Sequence, residues 1–131
     1  MRGEAVDWFL MAVEDLKMAR DAFEKGRLNW ALFACHQACE KALKAGLIAS
    51  RRRPPRTHDL VELVELLGVD LDEETVSGLS ELSPYYTIAR YPNAGLRRPW
   101  AEIGRKFVER MIALSEKLLE TVDERFGLRE E

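Results

Sequence analysis

The sequence predicts an all-α protein, an antiparallel up-and-down bundle of four to five helices. Apolar residues recur every three or four positions over long stretches, and no segment alternates apolar and polar residues with a period of two. Glycines and prolines fall between the periodic stretches. With 131 residues, of which 47% are hydrophobic, we expect one folded domain spanning residues 1–131 with a substantial core.

The first two helices are predicted as an antiparallel pair. The first should run from Glu4 to Lys25, because its apolar residues are spaced by four and three: Ala5, Phe9, Ala12, Leu16, Ala19 and Phe23. Gly26 ends it, and a turn of two or three residues makes the next helix its antiparallel neighbour. That second helix should end near Ser50, since two prolines in the basic loop 51–56 prevent its continuation.

Two shorter helices are predicted after the basic loop. Thr57 or Asp59 should cap the third helix, with Glu62 in capping-box register, and Gly68 should end it. Its buried stripe consists of Leu60, Leu63, Val64 and Leu67. Asp72 should cap the fourth helix, whose apolar residues are Val76, Leu79 and Leu82.

A proline-marked turn and one last long helix complete the bundle. Pro84 is followed by a short turn over residues 85–90 and by a loop over residues 91–95. The last long helix should start around Pro99 or Trp100. Its predicted buried seam consists of Trp100, Ile103, Phe107, Met111, Leu114, Leu118 and Val122.

The second helix has two different faces. Small residues form one arc: Ala31, Ala34, Cys35, Ala38, Cys39, Ala42, Ala45 and Gly46. The opposite arc holds Asn29, Phe33, His36, Gln37, Glu40, Lys41 and Lys44. The small arc permits close helix packing, and the polar arc is either a solvated face with helix-spaced ion pairs or a ligand groove. Phe33 is either an exposed dimer contact or packs on a neighbouring helix.

Composition excludes several classes of protein. The net charge of −3 gives no overall attraction to nucleic acid, so any basic surface must be local. Cys35 and Cys39 lie one helical turn apart and match neither a disulfide nor a zinc site, so we expect free thiols, no metal, no cofactor and a cytoplasmic location. No apolar run reaches the length of a membrane span. The sequence has few Asn and Gln residues and many Arg and Glu residues, a composition that resembles that of thermophilic proteins.

Three segments together resemble the HEPN domain family. They are Ala34–Ala45 with its His-Gln-x-x-Glu-Lys-x-x-Lys pattern, Thr57–Leu60, and Tyr86–Pro92 with its Arg-Tyr-Pro. The resemblance covers nearly the whole chain and implies a helical bundle, frequent homodimers and nucleotide or RNA binding. It also implies pairing with a separately encoded minimal nucleotidyltransferase in a toxin–antitoxin-like module. Other branches of the family are metal-independent ribonucleases with an Arg-x(4–6)-His motif.

The leading hypothesis is therefore a homodimeric accessory partner of a nucleotidyltransferase, with its ligand in a groove between the second helix and residues 86–90. A lysine supplies a point charge to phosphate, Arg90 a bidentate fork, and a tyrosine a stacking face. The expected ligand-binding residues are His36, Gln37, Glu40, Lys41, Lys44, Tyr86, Arg90 and Tyr91. The alternative at this place is a buried structural pair between Glu40 and Arg90.

A ribonuclease is the second hypothesis. Arg51, Arg52 and Arg53 all meet the Arg-x(4–6)-His spacing to His58. His58 would act as the acid and base, and Arg53 or Arg52 would hold the phosphate. The competing interpretation is that His58 helps to cap the third helix and packs against the second. His36 would lie near His58 or bond Glu40, and we expect it at a helix surface or an interface.

Overall fold

The computed structural model describes residues 2–129, and its helices are joined by turns and loops, with no strand in that range. Its helices are α1 (Arg2–Glu24), α2 (Leu28–Ala49), α3 (Leu60–Leu67), α4 (Glu73–Leu82), α5 (Tyr85–Ile88), α6 (Pro99–Glu102) and α7 (Arg105–Phe126). The predicted all-α bundle is confirmed, with three long helices, two shorter ones and two single turns. No helix within residues 2–129 has the length and apolarity needed to cross a membrane.

Helix α2 is the central element of the bundle. It packs against α1 along its length, against α7 on a second side, and against α3, α5 and α6. The small-residue arc is buried, and Cys39 donates a hydrogen bond to the Ser115 hydroxyl of α7, which donates to the main-chain oxygen of Met111. Gly46 faces Leu67 and Phe126 so closely that an added Cβ would lie 2.9 Å from the Leu67 side chain.

The polar arc of α2 is not a solvated face. Asn29, His36, Glu40 and Lys44 are all buried, and His36 is fully enclosed. The expectation that His36 lies at a helix surface or interface is therefore wrong. Helices α3 and α5 cover this side of α2, because the loop after α2 returns the chain across it.

Side chains and one strained residue mark the ends of α2, α3 and α4. Asp59 caps α3 by accepting from the backbone N–H groups of Val61 and Glu62, and Gly68 ends that helix with φ 72°. The Asp72 carboxylate accepts from the Thr75 N–H at the start of α4. Both predicted caps are confirmed. Beyond α2, Arg51 adopts φ 63°, a left-handed conformation that usually needs glycine.

The predicted start of the last long helix at Pro99 or Trp100 is wrong, because the chain breaks between α6 and α7. Ile103 is extended, with ψ 128°, and Gly104 is the N-cap residue of α7. A glycine in a helix interior costs about 1 kcal/mol relative to alanine, which favours a break at this position. The break also turns Trp100 outward, where it is 57% exposed, so Trp100 is not part of the buried seam.

Candidate functional site

A buried carboxylate lies at the centre of the candidate site. The Glu40 side chain is 6% exposed, and its Oε2 atom lies 2.9 Å from Nζ of Lys44 one helical turn away. Its Oε1 atom lies 3.0 Å from Nδ1 of His58 and 3.7 Å from Nδ1 of His36. Desolvating an unpaired carboxylate is costly, so the ion pair with Lys44 and the hydrogen bond with His58 are what allow Glu40 to be buried.

His36 connects α2 to the residue that precedes the cap of α3. Its Nε2 atom lies 2.9 Å from the main-chain oxygen of His58, a geometry in which Nε2–H donates. Its Nδ1 atom lies 3.3 Å from the Gln37 side-chain amide. Burial lowers the pKa of His36 below its ordinary value, because the charged imidazolium loses its water, although the nearby Glu40 opposes this effect.

His58 is the exposed member of the cluster, with 48% of its side chain accessible. Its ring stacks on that of Tyr86, with centroids 3.8 Å apart and an angle of 13° between the planes. The capping of α3 belongs to Asp59, so His58 is not a cap. The expectation that His58 packs against the second helix is confirmed by its contact with Glu40.

Arg90 lies on a run of aromatic rings. Its Nε donates to the main-chain oxygen of Tyr86 at 2.6 Å, and its guanidinium carbon lies 4.3 Å from the centroid of the Tyr86 ring. It also lies 5.1 Å from the Phe33 ring centroid and 5.0 Å from that of Tyr91. No ion pair joins Arg90 to Glu40 among residues 2–129, so the expected structural pair between them is wrong.

An open depression of ≈ 580 Å³ adjoins the stacked rings. Its walls come from the start of α3, the end of α4 and the short helix α5. The lining residues are His58, Asp59, Val61, Ser80, Ser83, Pro84, Tyr86 and Thr87. Ser83 also fixes this corner, because its hydroxyl oxygen accepts from the backbone N–H of Leu60 at 3.0 Å. Neither Ser83 nor Thr87 stands out in the sequence, since serines and threonines are common in turns.

Not all predicted site residues gather here. Lys41 pairs with Asp15 of α1 at 2.8 Å, on the other side of α2 from His58. Arg53 lines a separate depression of ≈ 350 Å³ together with Arg51 and Arg52, and no hydrogen bond or ion pair within residues 2–129 joins it to His58. Phe33, expected as a dimer contact or a packing residue, packs against Tyr86, with centroids 5.9 Å apart.

The described part of the chain holds neither a group of metal-binding side chains nor an exposed thiol. Residues 2–129 contain no group of three or more His, Cys, Asp or Glu side chains arranged to hold a metal ion. The two thiols are free and buried against α7. Burial raises the pKa of Cys39 to about 12 and raises that of Cys35 further still, so both remain protonated thiols at neutral pH.

The fold and its motifs define a HEPN-type helical bundle. The model of the HEPN domain family matches residues 5–125, and the chain belongs to that family. Among solved structures, it is similar to TT1696 from Thermus thermophilus, with 33% identity and a TM-score of 0.84 over 92% of this chain and 97% of that one.

A second solved structure shares the fold. ST0689, described as an archaeal HEPN homologue, is 24% identical with a TM-score of 0.79 over 93% of this chain and 97% of that one. The search of curated proteins found no match.

Proposed function

We propose that this chain, as one domain, is a nucleotide- or nucleic-acid-associated accessory protein whose ligand binds at the rings of His58 and Tyr86. The observation that carries the proposal is the parallel stack of these two rings beside an open depression. The His58 side chain is 48% exposed, and the face of its ring that is turned away from Tyr86 is suited to a nucleobase, because every base has a π face. The Arg90 guanidinium next to Tyr86 supplies a positive charge for a phosphate.

The binding test compares two adjacent tyrosines. Tyr86 lies in the stack, whereas Tyr85 packs against Phe107 of α7 with centroids 5.5 Å apart. Titration calorimetry with the four ribonucleoside monophosphates should show binding that Tyr86→Leu weakens by about 5- to 100-fold, the range of one stacking contact, because the variant lacks the ring that holds His58 in place for stacking. Tyr85→Leu should leave the affinity unchanged. No binding to the wild type, or equal losses in both variants, would reject the proposal.

Homodimer formation and a nucleotidyltransferase partner complete this proposal. Met11 and Met18 are 51% and 59% exposed and lie seven residues apart, on one face of α1, so they offer apolar surface to a second copy. Light scattering should give twice the monomer mass, and Met18→Glu should shift it toward the monomer. Co-expression with a nucleotidyltransferase encoded by an adjacent gene should give a stable complex; a monomer that ignores such a protein contradicts this part.

A metal-independent ribonuclease is the second candidate, and one observation favours it. Glu40 contacts Nδ1 of His58, an arrangement that orients histidine bases in many hydrolytic sites. Against it stands the position of Arg53, which lines another depression. Cleavage of RNA in EDTA by the wild type and not by His58→Ala would establish the activity, and equal residual cleavage by both would exclude it.

A further inference from the structure

An exposed histidine is held in place at three points in this protein. Tyr86 covers one face of the His58 ring, Glu40 binds Nδ1, and His36 binds the main-chain oxygen. A residue that merely precedes a helix cap does not need such restraint, and the buried groups that supply it are costly to desolvate. The arrangement therefore fixes the position of Nε2, the second ring nitrogen of His58.

The hydrogen-bonding roles at His58 follow from its partner. An ionised carboxylate only accepts hydrogen bonds, and Lys44 at 2.9 Å balances the charge of Glu40. Nδ1 of His58 must then carry the proton, so that the neutral ring has its lone pair on Nε2. Nε2 has no hydrogen-bond partner among residues 2–129. His36 is fixed in the opposite sense, because its Nε2–H donates to a carbonyl.

The lining of the depression indicates which part of a ligand suits this acceptor. Beside His58 it offers the Asp59 carboxylate and the hydroxyl-bearing residues Ser80, Ser83 and Thr87, and it has no lysine or arginine. Such a surface accepts hydrogen bonds and does not attract phosphate. A neutral, hydroxyl-bearing group such as a ribose diol fits it, whereas the phosphate belongs near Arg90.

We propose that Glu40 is a positioning residue that holds His58 as its Nδ1–H tautomer, so that Nε2 accepts a hydrogen bond from the ribose 2′-hydroxyl of the ligand. This inference rests on the proposed nucleotide site and deepens it, since it assigns the ligand to the ribonucleotides. The ring of His58 contributes stacking surface in either tautomer. Only the hydroxyl contact depends on the tautomer that Glu40 selects.

Nuclear magnetic resonance of ¹⁵N-histidine-labelled protein tests the tautomer directly, because the chain has only two histidines. We expect one Nδ1–H and one Nε2–H ring at pH 7.5, with the Nε2–H signals lost in His36→Gln. Glu40→Gln should weaken the preference at His58, because an amide can donate to Nδ1 as well as accept from it. An Nε2–H tautomer at His58 in the wild type would overturn the proposal, even where Glu40→Gln fails to fold.

Paired ligands test the hydroxyl contact. Adenosine and 2′-deoxyadenosine monophosphate, and the corresponding pairs for the other bases, differ only in the 2′-hydroxyl group. The wild type should bind the ribo form about 2- to 10-fold more tightly, the range of one hydrogen bond. His58→Phe keeps a ring on Tyr86, so both forms should bind it equally.

The two proposals fail in different ways. Equal affinities of the wild type for the ribo and deoxy forms would overturn the hydroxyl assignment and leave the stacking site standing. If neither the ribo nor the deoxy form binds, the proposed nucleotide site is overturned, and the ribose assignment with it. A ribo preference that persists in His58→Phe would likewise reject His58 as the acceptor.

Discussion

Replacing Lys44 by methionine tests whether the buried ion pair supports the fold. The side chains of Lys44 and Glu40 are 9% and 6% exposed, so the substitution leaves a carboxylate in the interior with only His58 within hydrogen-bond distance. Removing one member of a buried pair costs about 3–5 kcal/mol. The remaining contact with His58 places the expected loss near the lower end, about 3 kcal/mol, which corresponds to a fall in Tm of roughly 10 °C.

Urea denaturation of four proteins gives the measurement: the wild type, Lys44→Met, Glu40→Gln and the double variant. The double variant contains no unpaired charge, so it should lose less stability than Lys44→Met alone. Lys17→Met is the matched control, because Lys17 pairs with Glu14 at the surface, with side-chain exposures of 61% and 63%. That change should cost at most about 1 kcal/mol. Equal losses in Lys44→Met and Lys17→Met would refute the reasoning.

Three further predictions concern single residues. Because burial holds the pKa of His36 below 6.5, the unfolded chain gains a proton there that the folded chain does not. The free energy of unfolding should therefore fall below pH 6.5 by up to about 1.4 kcal/mol per pH unit, with a shallower slope in His36→Gln; identical slopes in urea titrations would contradict this. Neither Cys35 nor Cys39 should react with iodoacetamide at pH 8 until denaturant is added, and rapid labelling of the native protein would show that the thiols are accessible. Arg51→Gly should increase the free energy of unfolding by about 1 kcal/mol, because glycine relieves the backbone strain of φ 63° at this position. An equal gain in Arg53→Gly, measured by urea denaturation, would refute that cause.

Helix boundaries with a chemical marker could be predicted from the sequence. Gly26, Asp59, Gly68 and Asp72 each occupy the end that their chemistry favours. The break before α7 could not be predicted, because the helical spacing of apolar residues continues through Trp100 and Ile103. Gly104 was the available signal, but a single glycine does not distinguish a break from a tolerated helical position.

Which residues of α2 share one arc was easier to predict than whether that arc is buried. Periodicity correctly placed His36, Glu40 and Lys44 on one arc of α2, and the Thr-His-Asp-Leu segment supplied His58. Sequence alone did not show that this arc is buried, because burial depends on how the loop after α2 returns across it. Lys41 lies one residue after Glu40, which is about 100° around the helix, and this rotation directs it to Asp15 of α1 instead.

The enclosure of α2 on several sides has a consequence for the order of folding. Helices α1 and α2 are joined by a three-residue turn and share the most extensive packing in the bundle, so this hairpin forms from contacts that are local in the chain. His58 and Tyr86 reach α2 only after longer loops have closed, which costs more entropy. An intermediate limited to the α1–α2 hairpin would therefore lack the stacked rings, and the proposed nucleotide binding should return only with the last phase of refolding.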